Sequence, residues 1–427
     1  MIERVVRPTP IMPDRSDVSS IFDGFSFIRR RAVLLSLAAS FSLGQVASTI
    51  YVPSIPAIAR GLHTSVAHVQ FTFVGYLLAY ATSMLVLGPL SDRFGRKRML
   101  VCGFLLSALS SIACAAAPTI EVLIGARVLQ AMGACAGMVV GRALTRDIWG
   151  GRDAAAQVIA GCSMAATLMQ AFSPVLGGYL QAWFGWRANF VVVAALACLA
   201  MALVACSLPA RVTTPCQKIQ AILGSYRMLI TTRQFIRYAL AGAGAHAGFH
   251  IFAAGAPAVL IGAFGVSPQQ YGYYATLPPL GYVVGSFLSK RLTGRLGINN
   301  VIAIGATLLV PAGLSMVGLA LLHVAGPFMV VGPMIVVCCG SGLITPNAAA
   351  GALGADRRMI GTASGLASFF QLTGAATATA ALAFGSSGSP LILALIIAFA
   401  GLFSVTSFGS LMPSPAISAD ADAHAPI

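Results

Sequence analysis

Gly88-Pro-Leu-Ser-Asp-Arg-Phe-Gly-Arg-Lys-Arg-Met-Leu100 forms a short charged turn between two long apolar runs, in a chain where only 9% of residues are charged. The turn holds a single acid, Asp92, and four bases. In a lipid bilayer such a cluster lies at the water interface, because ionised groups are costly in the hydrocarbon core. The stretch therefore predicts two membrane-spanning helices that end at the same membrane surface.

The composition of the whole chain indicates the same class. It has 427 residues, 58% of them hydrophobic, and a mean hydropathy of +0.87, values typical of membrane proteins rather than soluble domains. Apolar runs of about 20 residues recur along the length, each long enough to cross the hydrocarbon core as a helix. We predict an all-α membrane protein with twelve spans, at 32–54, 66–90, 99–117, 121–143, 154–182, 187–208, 235–262, 270–289, 299–322, 326–350, 360–384 and 389–412.

The basic residues lie mostly on one side of these spans. With the amino terminus in the cytoplasm, all but three of the 26 Lys and Arg residues are cytoplasmic, the exceptions being Arg60, Arg127 and Arg187. This asymmetry follows the positive-inside rule and predicts that both termini are cytoplasmic. It also accounts for the formal net charge of +15 without a nucleic-acid partner, because the bases are spread over alternate loops and not gathered on one soluble face.

A less hydrophobic stretch after the sixth span divides the chain into two halves. We predict two pseudo-symmetric six-helix bundles enclosing a midplane cavity, as in many secondary transporters. A weak repeat supports this division, because Gly285-Ser-Phe-Leu-Ser-Lys-Arg stands after the second span of the second half, where the Gly88 turn stands in the first. The expected segments are a cytoplasmic tail at 1–31, the bundles at 32–208 and 235–412, a cytoplasmic loop at 209–234 and a second tail at 413–427.

Several stretches resemble motifs of a known family, the major facilitator superfamily of transporters. The Gly88 turn resembles the signature loop between its second and third helices. Leu123-Ile-Gly-Ala-Arg-Val-Leu-Gln-Ala-Met-Gly and Ser173-Pro-Val-Leu-Gly-Gly resemble motifs of its drug:proton antiporter branch. Ser48-Thr-Ile-Tyr-Val-Pro-Ser-Ile-Pro is similar to a segment of the bicyclomycin and chloramphenicol resistance exporters. The resemblance implies alternating-access export of small amphipathic drugs in exchange for protons.

The resemblance also implies roles for charged side chains. Asp92, Arg96 and Asp147 are expected to form a cluster that locks the cytoplasmic side while the cavity faces out. Arg127, inside the fourth span, is expected to take part in proton coupling. An alternative for Arg127 is that it extends to the outer interface beside Glu121, because an unpaired guanidinium in a span costs about 3 kcal/mol or more.

The fifth and first spans contain a match and a departure. Pro174, followed by Gly177 and Gly178, corresponds to the antiporter motif, in which a proline bends the helix and glycines permit close packing. In the first span, Thr49 stands where the family pattern usually has an acid. None of the acids of the chain falls in the middle of a predicted span, so the usual carboxylate proton carrier is missing.

The remaining titratable candidates are His246 and His250, which lie four residues apart and so share one face of the seventh span. Hydrogen bonding between helices is the alternative role for both. Polar and aromatic side chains in mid-span are expected to line a cavity suited to amphipathic molecules, with helix packing as the alternative for each. These cavity candidates are Gln45, Thr49, Tyr76, Tyr80, Gln130, Gln170 and Gln371.

Two other functions are compatible with parts of this pattern. The loss of an acid at Thr49 favours an importer or metabolite exchanger of the same fold without proton antiport. A membrane sensor or enzyme is less consistent, because no catalytic triad or metal-ligand spacing is apparent and no Gly-x-x-x-x-Gly-Lys-Ser/Thr motif occurs. We expect a non-enzymatic monomer in a bacterial inner membrane, with no cofactor and no metal, whose partners are a small-molecule substrate, protons and lipid.

Overall fold

The computed structural model describes residues 27–149, 152–208, 219–324, 326–354, 360–385 and 388–409, and the regular elements within them are helical. Residues 1–26 of the tail predicted at 1–31, and the whole of the tail predicted at 413–427, lie outside the described residues. The helices are α1 Phe27–Thr49, α2 Ile55–Gly61, α3 Val66–Phe94, α4 Arg96–Ala116, α5 Ile120–Trp149, α6 Arg152–Phe184, α7 Arg187–Ser207, α8 Ile219–Thr231, α9 Arg233–Pro257, α10 Pro268–Leu321, α11 Phe328–Leu353, α12 Ile360–Phe384 and α13 Pro390–Gly409.

The number of membrane crossings agrees with the sequence prediction. Within the described residues, eleven helical stretches are long and apolar enough to cross a membrane. One of them, the 54-residue α10, is interrupted at Gly297, where φ is 77° and ψ is 164°. A left-handed φ of this kind suits glycine, which has no Cβ to clash with the backbone. Each arm of α10 is long enough to cross separately, so the described residues account for twelve crossings.

The boundaries differ from the prediction where proline and glycine act locally. The first span was expected to run to residue 54, but α1 ends at Thr49 and a tight turn at Val52–Ser54 leads into α2. Pro53 and Pro56 explain the break, because neither can donate the backbone hydrogen bond that would continue the helix. The loop expected after residue 289 is instead helical up to the Gly297 turn.

The central loop, predicted at 209–234, contains a helix that was not predicted. Residues 219–231 form α8, and the Tyr226 hydroxyl of this helix lies 3.4 Å from the Leu85 carbonyl of α3. Residues 209–218 lie outside the described part. The short helix alternates apolar and polar positions at helical spacing, which is typical of a helix lying along a surface rather than crossing a membrane.

The ends of the spans define two faces. The turn between α3 and α4, the Gly297 turn and α8 lie on one side, here named the basic face because it carries Arg93, Arg98, Lys290 and Arg291. The other side, named the opposite face, carries the turn between α4 and α5 and the start of α10. The first six and the last six crossings form two bundles, which meet through α3 against α12 and α6 against α10.

Direct contacts between the bundles lie toward the opposite face. The Gln70 amide donates to the Ala254 carbonyl at 3.1 Å, and Thr276 donates to the Ala171 carbonyl at 3.0 Å. Nearer the surface, the hydroxyls of Tyr179 and Tyr273 are 2.8 Å apart. These contacts close the space between the bundles on the side away from the basic face.

Gly177 and Gly178, the two glycines of the antiporter-like stretch, pack against different neighbours. A Cβ at Gly177 would overlap the carbonyl oxygen of Ile50, directly after the end of α1 in the same bundle. A Cβ at Gly178 would overlap the carbonyl oxygen of Pro268 at the start of α10, in the other bundle. Backbones approach this closely only where a side chain is absent. Gly178 therefore belongs to the contact that closes the opposite face.

A branched side chain at Gly178 should prevent this closure. We expect Gly178→Val to lower the yield of a short thiol cross-link between Gln70→Cys and Ala254→Cys by about fivefold or more, since even about 1 kcal/mol shifts an equilibrium that far. The cross-link is measured with the native cysteines replaced by serine. Gly161→Val, in open space on the same helix, should leave the yield unchanged; equal yields in both variants would contradict the assignment.

Candidate functional site

A chamber of about 310 Å³ lies between the bundles and takes residues from both. Its lining comes from α1, α3, α5 and α6 of the first bundle and from α9, α10, α11 and α12 of the second. This volume is at the lower end of those that accept small organic ligands. Five of the predicted cavity residues line it, namely Gln45, Tyr76, Tyr80, Gln170 and Gln371.

Aromatic side chains build one wall of the chamber. The rings of Tyr76 and Tyr80 are stacked with centroids 6.0 Å apart. The Tyr76 hydroxyl donates to the Gly44 carbonyl at 2.8 Å, and the Tyr80 hydroxyl lies 3.6 Å from the sulfur of Met138. Because both hydroxyls already have partners, this part of the lining offers mainly apolar ring surface with few free polar groups.

Gln130 was predicted to line the chamber, and this prediction is wrong. The side chain is fully buried, receives a hydrogen bond from Arg127, and donates to the Ser111 hydroxyl at 2.7 Å. Its amide is therefore used in bridging α5 to α4. The sequence placed Gln130 in mid-span correctly, but its face on the helix directs it away from the bundle interface.

Thr49 was also predicted to line the chamber, and it too lies outside the lining. Its hydroxyl is buried and shares a 2.6 Å hydrogen bond with Ser173 of α6. Ser173 in turn donates to the Gln170 carbonyl at 3.0 Å. That carbonyl lacks its usual helical donor because Pro174 has no N–H, so the serine hydroxyl restores the missing hydrogen bond.

Arg127 is enclosed in the first bundle, which excludes the alternative at the interface. Its side chain has no exposed surface, and its guanidinium donates to the Ala47 carbonyl at 2.8 Å. The guanidinium carbon lies 4.3 Å from the ring centroid of Tyr51 and 4.2 Å from that of Tyr76. Cation–π contacts and a backbone carbonyl thus replace an anionic partner. The Tyr76 ring contacts Arg127 and also lines the chamber, so it separates this arginine from the chamber.

The two histidines of α9 both line the chamber. Their ring centroids are 4.7 Å apart, and His250 Nδ1 lies 3.3 Å from the carbonyl oxygen of His246. The ring of buried His250 also lies 6.0 Å from that of Phe73, which belongs to α3 of the other bundle. His250 is therefore in contact with the surface at which the two bundles meet.

Sequence reasoning missed several lining residues, above all Arg142. It had been assigned to a cytoplasmic loop because the fourth span was expected to end at 143. Helix α5 continues to Trp149, which places Arg142 about 10 Å inside the helix end at 1.5 Å per residue. The apolar residues Leu144 and Ile148, spaced like one helix face, were the signal that the span extends further. Other lining residues that were not predicted are Met84, Ser163, Phe249, Tyr282, Ser341 and Thr345.

The charged residues of the Gly88 turn come together as predicted. Helices α3 and α4 are separated only by Gly95, which has a φ of 92°. Arg96 forms an ion pair with Asp92 at 2.7 Å and donates to the Asp147 carboxylate at 2.7 Å. It also donates to the Ser91 hydroxyl at 2.8 Å. All of these side chains belong to the first bundle, and the locking role of the cluster stays a prediction.

Metal binding finds no support at these sites. Among the residues that the structure describes, no group of three or more His, Cys, Asp or Glu side chains is placed to hold a metal ion. The chemistry available around the chamber is therefore that of hydrogen bonds, aromatic faces, one guanidinium and two imidazoles.

Comparison with known proteins gives a family match. Residues 35–379 match the model of the Major Facilitator Superfamily. The chain is 27% identical over 320 residues to a bicyclomycin resistance protein homolog of Haemophilus influenzae, covering 74% of this chain and 80% of that protein. It is 29% identical over 343 residues to multidrug resistance protein D of Escherichia coli, covering 80% and 86%. A crystal structure of a D-xylose-proton symporter has a similar fold, with a TM-score of 0.69 at 13% identity over 89% of this chain and 97% of that one.

Proposed function

This chain belongs to the Major Facilitator Superfamily, and we propose that it exports small amphipathic compounds through the central chamber in exchange for protons. Like the family and the relatives that it matches, it is a multi-pass membrane transporter and not an enzyme. The observation that carries the proposal is a chamber between the two bundles with aromatic walls, few polar groups and two histidines. Relatives named for resistance to bicyclomycin and to several drugs support export of such compounds.

The proposed orientation places the basic face in the cytoplasm. The positive-inside rule supports it, since the loops of that face carry most of the Lys and Arg residues. Both termini would then be cytoplasmic. We further propose that the protein acts as a monomer in a bacterial inner membrane, and that residues 32–208 and 235–412 each form one bundle. In this orientation the chamber lies on the cytoplasmic side of the contacts made by Gln70, Thr276 and Gly178, as required of a state that loads its substrate from inside.

Proton coupling is proposed to depend on the histidine pair. Imidazole is the side chain that changes charge most readily near neutral pH, and His250 lies where the bundles meet, against Phe73. Protonation there changes the free energy of that contact, so the proton and the separation of the bundles become linked. The titratable or charged side chains that share the chamber with the pair are Tyr76 and Tyr80 of α3, Arg142 of α5, Tyr282 of α10 and Cys338 of α11.

Arg127 is proposed to support this coupling from within the first bundle. Its Nε and one terminal nitrogen are buried without a hydrogen-bond partner among the described residues. Its guanidinium also packs on Tyr76, which forms part of the chamber wall. The permanent positive charge of Arg127 disfavours protonation of nearby groups. The Tyr76 ring, which lies between Arg127 and the chamber, sets the distance between this charge and the chamber.

A second candidate is an importer or exchanger of the same fold without proton antiport. The observation that favours it is Thr49, which pairs with the Ser173 hydroxyl where the resistance exporters usually have an acid. A hydroxyl pair does not release or take up a proton in the physiological range. Substrate transport that persists without a proton gradient would support this second candidate.

The charge cluster of the Gly88 turn gives a direct test of alternating access. Asp92→Asn and Arg96→Cys should each abolish export, with membrane abundance near normal, because each removes an ion pair that orders the junction of α3 and α4. Immunoblots of membranes and drug accumulation measure the two quantities. Arg98→Cys, an exposed base in the same turn, should retain export; transport surviving both of the first changes would remove the locking role.

Expression in a bacterial host that lacks its own pumps tests the function as a whole. Wild-type protein should raise resistance to amphipathic antibiotics such as chloramphenicol, and an uncoupler should abolish the gain. We expect His250→Ala to reduce proton-driven export by about tenfold or more, in the range of typical coupling free energies, while substrate binding is largely retained. His68→Ala, an exposed histidine at the opposite face, serves as the control. Substrate-induced proton uptake that is unchanged in His250→Ala would contradict the histidine assignment.

A further inference from the structure

The charge of the chamber is unbalanced. Among the described residues that line it, Arg142 is the only side chain that is ionised permanently at neutral pH, and none is Asp or Glu. The other groups that can become charged in the neutral range are His246 and His250, and protonation makes both positive. In this structure the described lining therefore carries positive charge whether or not the histidines are protonated, and it supplies no carboxylate to offset that charge.

Arg142 also lacks an anionic partner outside the lining. The nearest acid along α5 is Asp147, whose carboxylate already receives a hydrogen bond from Arg96 at 2.7 Å. The other acid of that cluster, Asp92, is paired with the same arginine. Arg142 Nε is buried and has no hydrogen-bond partner within the described part of the chain. Arg127 also has a buried Nε without a hydrogen-bond partner, but its guanidinium has a backbone carbonyl, the Gln130 amide oxygen and two tyrosine rings as neighbours.

A buried guanidinium nitrogen without a hydrogen-bond partner is costly, which indicates that a group inside the chamber satisfies Arg142. Arg142 lies about 10 Å from the end of α5, where an isolated charge costs several kcal/mol. A guanidinium is best satisfied by a planar anion that accepts two parallel hydrogen bonds, and such pairs are about twice as strong as neutral ones. The space in front of Arg142 belongs to the chamber itself, so the natural source of that anion is the transported molecule.

The other lining residues indicate the chemical nature of the ligand that carries the anionic group. Tyr76 and Tyr80 present ring faces from the first bundle, and Phe249 and Tyr282 contribute aromatic surface from the second. Flat aromatic or amphipathic groups fit between such walls. We propose that the chamber selects small aromatic monoanions, with a carboxylate on Arg142 and the ring between the tyrosine and phenylalanine side chains. The proposal names a substrate class for the chamber, and its transport part rests on the proposed export function.

Three probes with one ring system and different charges test this selectivity. 2-Naphthoate, 2-naphthamide and 2-naphthylmethylammonium differ mainly in the sign of their charge. We expect the purified full-length protein in nanodiscs to bind naphthoate at least about tenfold more tightly than the other two by calorimetry, the discrimination expected of one charge-assisted pair. Naphthoate binding should also weaken at high salt.

Variants of Arg142 assign the preference to this side chain. Arg142→Gln should abolish the difference between naphthoate and naphthamide, and Arg142→Lys should keep part of it, because a lysine retains the charge but not the planar fork. Arg146→Gln, an exposed base on the same helix, should leave all three affinities unchanged. If Arg142→Gln does not fold, the wild-type series still decides the charge preference.

The outcomes separate this inference from the proposed function. Equal wild-type affinities, a preference for the ammonium probe, or a preference that survives in a folded Arg142→Gln variant would overturn the anion site. Proton-dependent transport of naphthamide with no preference for naphthoate would overturn the anion site and leave proton-coupled export intact. Arg142-dependent binding of naphthoate, with no transport of any probe by proteoliposomes under a proton gradient, would support the site and contradict the proposed function.

Discussion

The hydrocarbon core of a bilayer offers no water to satisfy polar groups, and this constraint underlies the rest of the structure. Each unpaired charge or hydrogen-bonding group within it costs several kcal/mol. The helices satisfy their own backbones, and where a proline removes a donor another group replaces it, as the Ser173 hydroxyl does for the Gln170 carbonyl. Arg127 follows the same rule only in part: one terminal nitrogen donates to a carbonyl and two aromatic rings pack on the guanidinium, while its other two nitrogens have no hydrogen-bond partner among the described residues. Polar groups that remain unsatisfied are therefore informative.

The same constraint connects packing to mechanism. With no hydrophobic force between helices in lipid, close contact depends on small residues, and Gly177 and Gly178 bring one helix against neighbours in both bundles. The contact at Gly177 lies inside the first bundle, whereas the contact of Gly178 with Pro268 joins the two bundles and would separate if the opposite face opens as proposed. His250, against Phe73, lies on the same dividing surface. In the proposed mechanism, a proton on His250 and a substrate in the chamber would therefore act on one shared set of contacts.

The membrane class, the twelve crossings and the charged turn could be predicted because each depends on local sequence. Apolar runs predict spans directly, and Asp92, Arg96 and Asp147 lie near helix ends that hydropathy identifies. The short helix α8 and the helical continuation up to Gly297 were missed because both extend beyond the apolar runs. The prediction was less successful for the direction in which mid-span side chains point from their helices. Gln130 and Thr49 are polar and lie in mid-span, but only the packing of α5 and α1 determines that they face other helices. Arg142 was missed because the fourth span was predicted to end nearly two turns before the observed end of α5.

The central claim is that one chamber becomes accessible from each membrane face in turn, and side-specific labelling tests it most directly. Thr345→Cys places a thiol on the chamber wall, in a background with the native cysteines replaced by serine, for reaction with an impermeant thiol reagent. Labelling from the basic face at rest, and from the opposite face when that side is made acidic and substrate is present, is the predicted result. Labelling from only one face under every condition would contradict the account.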